Sequence, residues 1–250
     1  VNDTALAQSL ESPCHGLWWN GDDAFRSRLF DAISLLLPSG EAFVIATVSD
    51  GLPEATKNQL TPHGLQDEVH RFVREEHSHS RAHRLYNDRL AVHAPSRELE
   101  RRIESVMQEI TGWRLPARLA LAGAFEHLTA VLSKEVLRTG SVWLSSGQAP
   151  QTRLWRWHCQ EELDHHHVAR NVMVAAGVGR SQRVLALLTA MLFLSTDIMS
   201  MLWGLLRADL AAGRVSAWHL AAQCAKFSAR ALPSMVRMAW HCGRYAVSTQ

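Results

Sequence analysis

The stretch RWHCQEELDHHHVAR, residues 156–170, holds four histidines and three carboxylates, and three of the histidines are consecutive. Histidine nitrogen and carboxylate oxygen together make a metal-ligand set, or an acid and base set, if the spacing brings them to one place. Successive residues of a helix are turned by about 100°, so His165, His166 and His167 cannot share a face. His158, Glu162 and His165 can, at intervals of four and three. His166 and His167 look away from that face and are expected to cap, pack or meet solvent.

The same ladder occurs earlier. FVREEHSHSRAHRLYN places Glu76, His79 and His83 on one helical face, with Glu75 and His77 pointing elsewhere. LALAGAFEHLTAVL sets Glu126 in an apolar run, and GEAFVIATV holds Glu41, the one charge between Asp31 and Asp50. Taken alone, Glu41 reads as a helix-start residue favoured by the helix dipole. A buried lone carboxylate costs several kcal/mol, so it is paired, neutral or bound to a metal.

In chain order the set is Glu41, Glu76-x-x-His79, Glu126 and Glu162-x-x-His165. This is the ligand recipe of ferritin-like di-metal carboxylate bundles. Two of the glutamates can bridge the metals, each Glu-x-x-His gives one oxygen and one nitrogen, and four carboxylates neutralise two divalent cations. The alternatives are a buried salt-bridge network or a solvated face. His83 and His158 exceed the minimal set; each lies one turn from a ligand residue and serves as a further nitrogen ligand or an outer partner.

Elements that would carry these residues follow from periodicity. Apolar residues recur at three and four and strand signals are weak, so the fold class is all-α, a ferritin-like four-helix bundle with additional flanking and C-terminal helices. Helices are expected over residues 22–37, from Ser39 or Glu41 to the break at SDGLP, and over residues 62–90, 97–111, 116–138, 151–176, 182–211 and 215–245. Pro38 is expected to end the first of them. Residues 1–20 form an N-terminal arm with Trp18 and Trp19 as its first buried anchors, residues 21–178 the bundle, and residues 179–250 apolar helices packed on it, in a single domain overall.

Composition narrows the function. The 250 residues suffice for a substantial core, and a net charge of +2 without a basic stripe argues against a nucleic-acid partner. Cys14, Cys159, Cys224 and Cys242 form no C-x-x-C pair and suit reduced thiols in a cytoplasm. The N-terminus has neither the basic flank nor the apolar stretch of a signal peptide. Val184 to Leu206 runs for 23 residues with Asp197 as its one charge, and about 20 apolar residues span a bilayer. A buried helix, a homodimer interface formed by the C-terminal helices and membrane association through residues 184–206 are the three readings. The first is favoured, in a soluble cytoplasmic protein.

At these residues the sequence resembles a bacterial family labelled predicted metal-dependent hydrolase, a ferritin-like group. The matching pieces are PSGEAF, FVREEHSHSRAHRLYN, AFEHLTAVL and WRWHCQEELDHHHVA, with Trp19 and Asn20 fitting the start. The resemblance covers residues 18–176 closely and the remainder loosely. Gln is usual in that family where this chain has Glu75, and Glu where it has Asp164; neither touches the two ladders.

The family label implies hydrolysis. The ligand set argues instead for iron or manganese chemistry, since two-metal hydrolases commonly mix histidine and aspartate on loops. The leading expectation is a non-haem di-iron enzyme, with manganese or a mixed pair as alternatives. It would use dioxygen to oxidise or oxygenate a small organic molecule, an amine by analogy with N-oxygenases that carry an extra histidine. Glu41, Glu76, Glu126 and Glu162 would be catalytic as well as ligating, and the substrate would enter near Phe72, Ala122 and Ala130. A hydrolase using the same two metals is the alternative, and a non-enzymatic metal-binding protein the second.

Overall fold

Asp23 opens the first long helix by accepting a hydrogen bond from Arg26 N at 2.9 Å, which satisfies one of the free N–H groups of a helix start. The computed structural model describes residues 16–57 and 63–247; most of the expected arm, with Cys14, lies outside them. Among the described residues every regular element is an α-helix. They are α1 (Ala24–Ala55), α2 (Leu65–Leu90), α3 (Ser96–Thr111), α4 (Leu115–Val136), α5 (Pro150–His165), α6 (His167–Ala175), α7 (Arg180–Ala211) and α8 (Ala217–Val247). The fold is all-α, as its periodicity predicts.

α1 and α4 are apolar on most sides and buried on most sides, which makes them the central helices. α1 packs on α2 and α4, and α5 packs on the same two. The four helices that carry the candidate ligands therefore surround one interior. Close approach depends on Gly51 of α1, where a Cβ would lie 2.6 Å from Leu119 Cδ2 of α4. α6, α7 and α8 cover the outside of α1 and α4, and α3 lies against α1.

Two boundaries differ from those the sequence predicts. Pro38 does not end a helix; α1 runs through Pro38 and Pro53. A proline inside a helix leaves the carbonyl four residues earlier without its donor, here Ser34. Asn87 of α2 replaces the missing N–H: its Nδ2 donates to Ser34 O at 3.0 Å, while Ser34 Oγ donates to Asn87 Oδ1 at 2.7 Å. Ser80 Oγ, also on α2, donates to Pro38 O at 3.3 Å. Glu41 consequently sits inside a continuous helix and not at a helix start.

The expected helix over residues 151–176 is instead split into α5 and α6 at His166. The His166 ring donates from Nδ1 to Leu163 O at 3.0 Å, the carbonyl that a continuous helix would give to His167 N. His166 thus caps, as its rotation suggests.

A buried charge network fastens the outer helices. Arg28 of α1 bonds Asp209 of α7 at 2.6 Å and Asp31 at 2.8 Å. Asp31 also accepts from Trp19 Nε1 at 3.0 Å and from Tyr86 of α2. Trp19 is buried as expected, while Trp18 is half-buried beneath the Arg28 guanidinium. Asn20 ties down the loop before α5 by donating to Trp143 O at 2.9 Å and accepting from Ser145 N at 2.8 Å.

Replacing Asn87 with Leu leaves the Ser34 carbonyl without a donor and is expected to destabilise the protein by about 1–3 kcal/mol in chemical denaturation. Adding Pro38→Ala restores an N–H in the right place and should recover part of that loss. Strictly additive effects in the double variant would show that Asn87 does not compensate for the proline.

Candidate metal centre

The two ladders lie on faces of α2 and α5 that meet, and α1 and α4 close the other sides. Glu41, Glu76, His79, His83, Glu126, His158, Glu162 and His165 are all buried, none more than 6% exposed. Their distances separate two overlapping groups. Glu76, His79, Glu162 and His165 each offer a ligand atom within 4.8 Å of the others, and so do Glu41, His79 and His158.

Two carboxylate oxygens occupy the middle of the first group. Glu76 Oε1 lies 3.7 Å from His79 Nδ1 and 2.9 Å from His165 Nε2. Glu162 Oε1 lies 3.7 and 3.8 Å from the same two nitrogens, and 3.4 Å from His158 Nε2. One glutamate from each ladder thus stands between two imidazoles, which is where a bridging carboxylate would stand.

Glu126 and His83 fall outside both groups. Glu126 is nevertheless tied to the same interior, because Thr129 Oγ1 bonds both Glu126 O at 3.0 Å and Glu162 Oε2 at 2.8 Å. His83 lies with its Nδ1 2.9 Å from Ser34 Oγ and its ring 4.9 Å from that of His158. Phe72, expected near a substrate pocket, is buried and packs edge-on against His165 at 5.0 Å.

Two carboxylates at the edge of the cluster are not among the residues that spacing selects. Glu75 does not point elsewhere: its Oε2 accepts from His165 Nδ1 at 2.9 Å. Glu161 accepts from His79 Nε2 at 2.9 Å and from Trp157 Nε1 at 2.8 Å. The arrangement is crossed. Each helix carries a pair of adjacent glutamates, Glu75-Glu76 and Glu161-Glu162; the second of each pair enters the cluster, and the first holds the other helix's histidine. Such an outer carboxylate fixes an imidazole's tautomer and aims its second nitrogen inward. The repeated Glu-Glu-x-x-His pattern was the available signal.

Both oxygens of Glu41, with Glu76 Oε2, Glu126 Oε2, His79 Nδ1, His83 Nε2 and His158 Nδ1, are buried without a hydrogen-bond partner, while Glu76 Oε1 and His165 Nε2 have only each other at 2.9 Å. Natural interiors leave few such atoms, and several of those in this protein belong to one set of hard oxygen and imidazole donors. The residues fit a metal.

Without one, protons must balance the charge. Burial raises the Glu41 and Glu126 carboxyls well above the ordinary 4.5, and Glu76 and Glu162 reinforce the rise. Burial opposes charge on Glu76 too, but His165 and His79 outweigh it and bring Glu76 down to about 2. Glu162 is also lowered, chiefly by His165 and His158 against the effect of burial. Burial likewise opposes the His79 and His165 cations, yet Glu161 and Glu76 raise His79, and Glu162 and Glu76 raise His165 to about 12. Burial, then the His79 charge, lowers His83 to about 3 and lowers His158 as well.

These features define a class, an all-α protein built around a buried glutamate and histidine cluster with the donors for metal. The chain belongs to the family described as predicted metal-dependent hydrolase, whose model matches residues 9–246. That match continues through α7 and α8, where the motifs are sparse. Comparison with curated proteins and with solved structures found no match.

Glu161→Ala and Glu75→Ala each free one imidazole to rotate and are expected to weaken metal affinity by about 10–100-fold, read by competition with a calibrated chelator. Unchanged affinity in both would refute the crossed support. The metal-free protein should be most stable between pH 4.5, the ordinary carboxyl value, and pH 6.5, the ordinary imidazole value. Below that window the lowered Glu76, Glu162, His83 and His158 take up more protons unfolded than folded, so stability falls with pH. Above it the raised Glu41, Glu126, His79 and His165 hold protons that the unfolded chain releases, so stability falls as pH rises. Metal should reverse the alkaline limb by displacing those protons, and thermal melts of both forms across pH measure it.

Proposed function

We propose that the protein is a hydrolase that uses a pair of divalent metals held between α1, α2, α4 and α5. The observation that carries this reading is the buried cluster of glutamate and histidine donors, several of them without a hydrogen-bond partner, in a chain that belongs to a metal-dependent family. Glu76, His79, Glu162 and His165 would hold the metals from the centre, with Glu41 and His158 completing the side towards α1. Hard carboxylate donors favour iron or manganese. When bound, such ions make water acidic enough to act as a nucleophile near neutral pH.

The chain's own groups do the rest. Glu161 and Glu75 hold His79 and His165 in place. Glu126, outside both ligand groups and kept protonated by burial, gives its proton to the leaving group and recovers one from the attacking water. Trp157, packed on the His79 ring at 4.9 Å, and Phe72, packed on His165, shield the site from bulk water.

A second reading rests on the donor set itself. Glutamates and Glu-x-x-His pairs on bundle helices are the di-iron carboxylate pattern, and His83 and His158 exceed what that pattern needs. On this reading the protein oxidises or oxygenates a small organic molecule, such as an amine, with dioxygen.

Metal-loaded protein tested on chromogenic carboxylic and phosphoric esters should show turnover that chelation abolishes, added metal restores and removal of dioxygen leaves unchanged. Glu126→Gln should lower kcat by about 10²–10⁴-fold with metal content retained. Turnover of a test amine that stops in the absence of dioxygen, with no metal-dependent hydrolysis, would replace the first reading with the second.

A further inference from the structure

α7 and α8 each leave one apolar face uncovered. α7 turns Ala186, Leu187, Ala190, Leu202 and Leu205 into the protein, yet Leu185, Leu188, Leu192, Met199 and Trp203 are 59–67% exposed. At about 100° per residue these five fall on one narrow stripe along the helix. α8 buries Leu220, Ala231, Cys242 and Tyr245, and exposes Trp218, Leu232, Val236 and Trp240 by 62–85% along its opposite side. Proteins rarely expose apolar stripes of this extent without a partner.

Charge selects the partner. Residues 180–250 carry eight arginines and lysines against two aspartates, an excess of six positive charges; because the whole chain has +2, the remainder carries a net four negative ones. Of the two aspartates, Asp209 is buried against Arg28 and Asp197 is half-buried near Arg102. Exposed Lys226, Arg230 and Arg244 flank the apolar stripe of α8, and exposed Arg207 lies near the end of that of α7. A second copy docked on these faces would oppose these four positive charges to four. An anionic lipid surface complements them, and exposed tryptophans with basic flanks are what a helix lying in a membrane interface presents.

We infer that α7 and α8 form a face that rests in the interface of an anionic membrane, with the bundle in water. α7 is long and apolar enough to cross a membrane, but its packing on α1 and α4 fixes it to the surface of the bundle. The inference is independent of the reaction catalysed.

Flotation of the full chain with vesicles tests it. The protein should float with vesicles of phosphatidylcholine containing phosphatidylglycerol, should stay behind with phosphatidylcholine alone, and should be released by salt. Lys226→Glu, Arg230→Glu and Arg244→Glu together should reduce the affinity by about fivefold or more per charge. Trp203→Ser with Trp240→Ser should abolish flotation while circular dichroism and metal content stay unchanged. Equal binding to both vesicle types, or no binding together with a salt-stable dimer that the tryptophan variant dissociates, would overturn the proposal; the latter would make the face a contact between copies.

Discussion

Four carboxylates and four imidazoles share one interior, and the helices around it are arranged as that crowding requires. Like charges so close in a medium of low polarity repel strongly, so the glutamates can be buried together only if protons or metal ions balance them. The metal-free cluster meets this demand by dividing its groups. Glu76 and Glu162 hold negative charge against protonated His79 and His165, while Glu41 and Glu126 remain neutral. Two divalent cations would satisfy the same electrostatics without protons, and would engage buried oxygens, such as both of Glu41, that have no hydrogen-bond partner.

The surrounding structure fixes the cluster from outside. Glu75 and Glu161, both about one-third exposed, link α2 and α5 reciprocally, so neither ladder can rotate without disturbing the other. Asn87 and Ser80 hold α1 to α2 across Pro38, which sets the turn on which Glu41 stands. The Arg28, Asp31 and Asp209 network then fastens α7 to the same helix. These contacts share α1 and α2, so the helices that position the cluster also anchor α7.

How much of this could be read in the chain follows from which contacts are local. Glu76 with His79, and Glu162 with His165, are one helical turn apart, so their common face is set by α-helix geometry alone. The burial of Glu126 was legible because it stands in an apolar run, but its place outside both ligand groups was not. Glu75 and Glu161 were not, because a contact between helices depends on their relative rotation, which intrahelical spacing does not determine. The helix break wrongly expected at Pro38 has the same origin: the donor that repairs it, Asn87, comes from another helix. His166 divides α5 from α6 by a side-chain bond that competes with the backbone, a choice that periodicity does not record.

The proposal that this cluster is a metal site, and not a self-contained network of ion pairs, is open to direct test. Anomalous diffraction from crystals of the metal-loaded protein tests it most directly. Two peaks are expected in the interior, beside Glu76, His79, Glu162 and His165. An interior without anomalous density at full metal exposure, with both imidazoles still paired to those carboxylates, would contradict it.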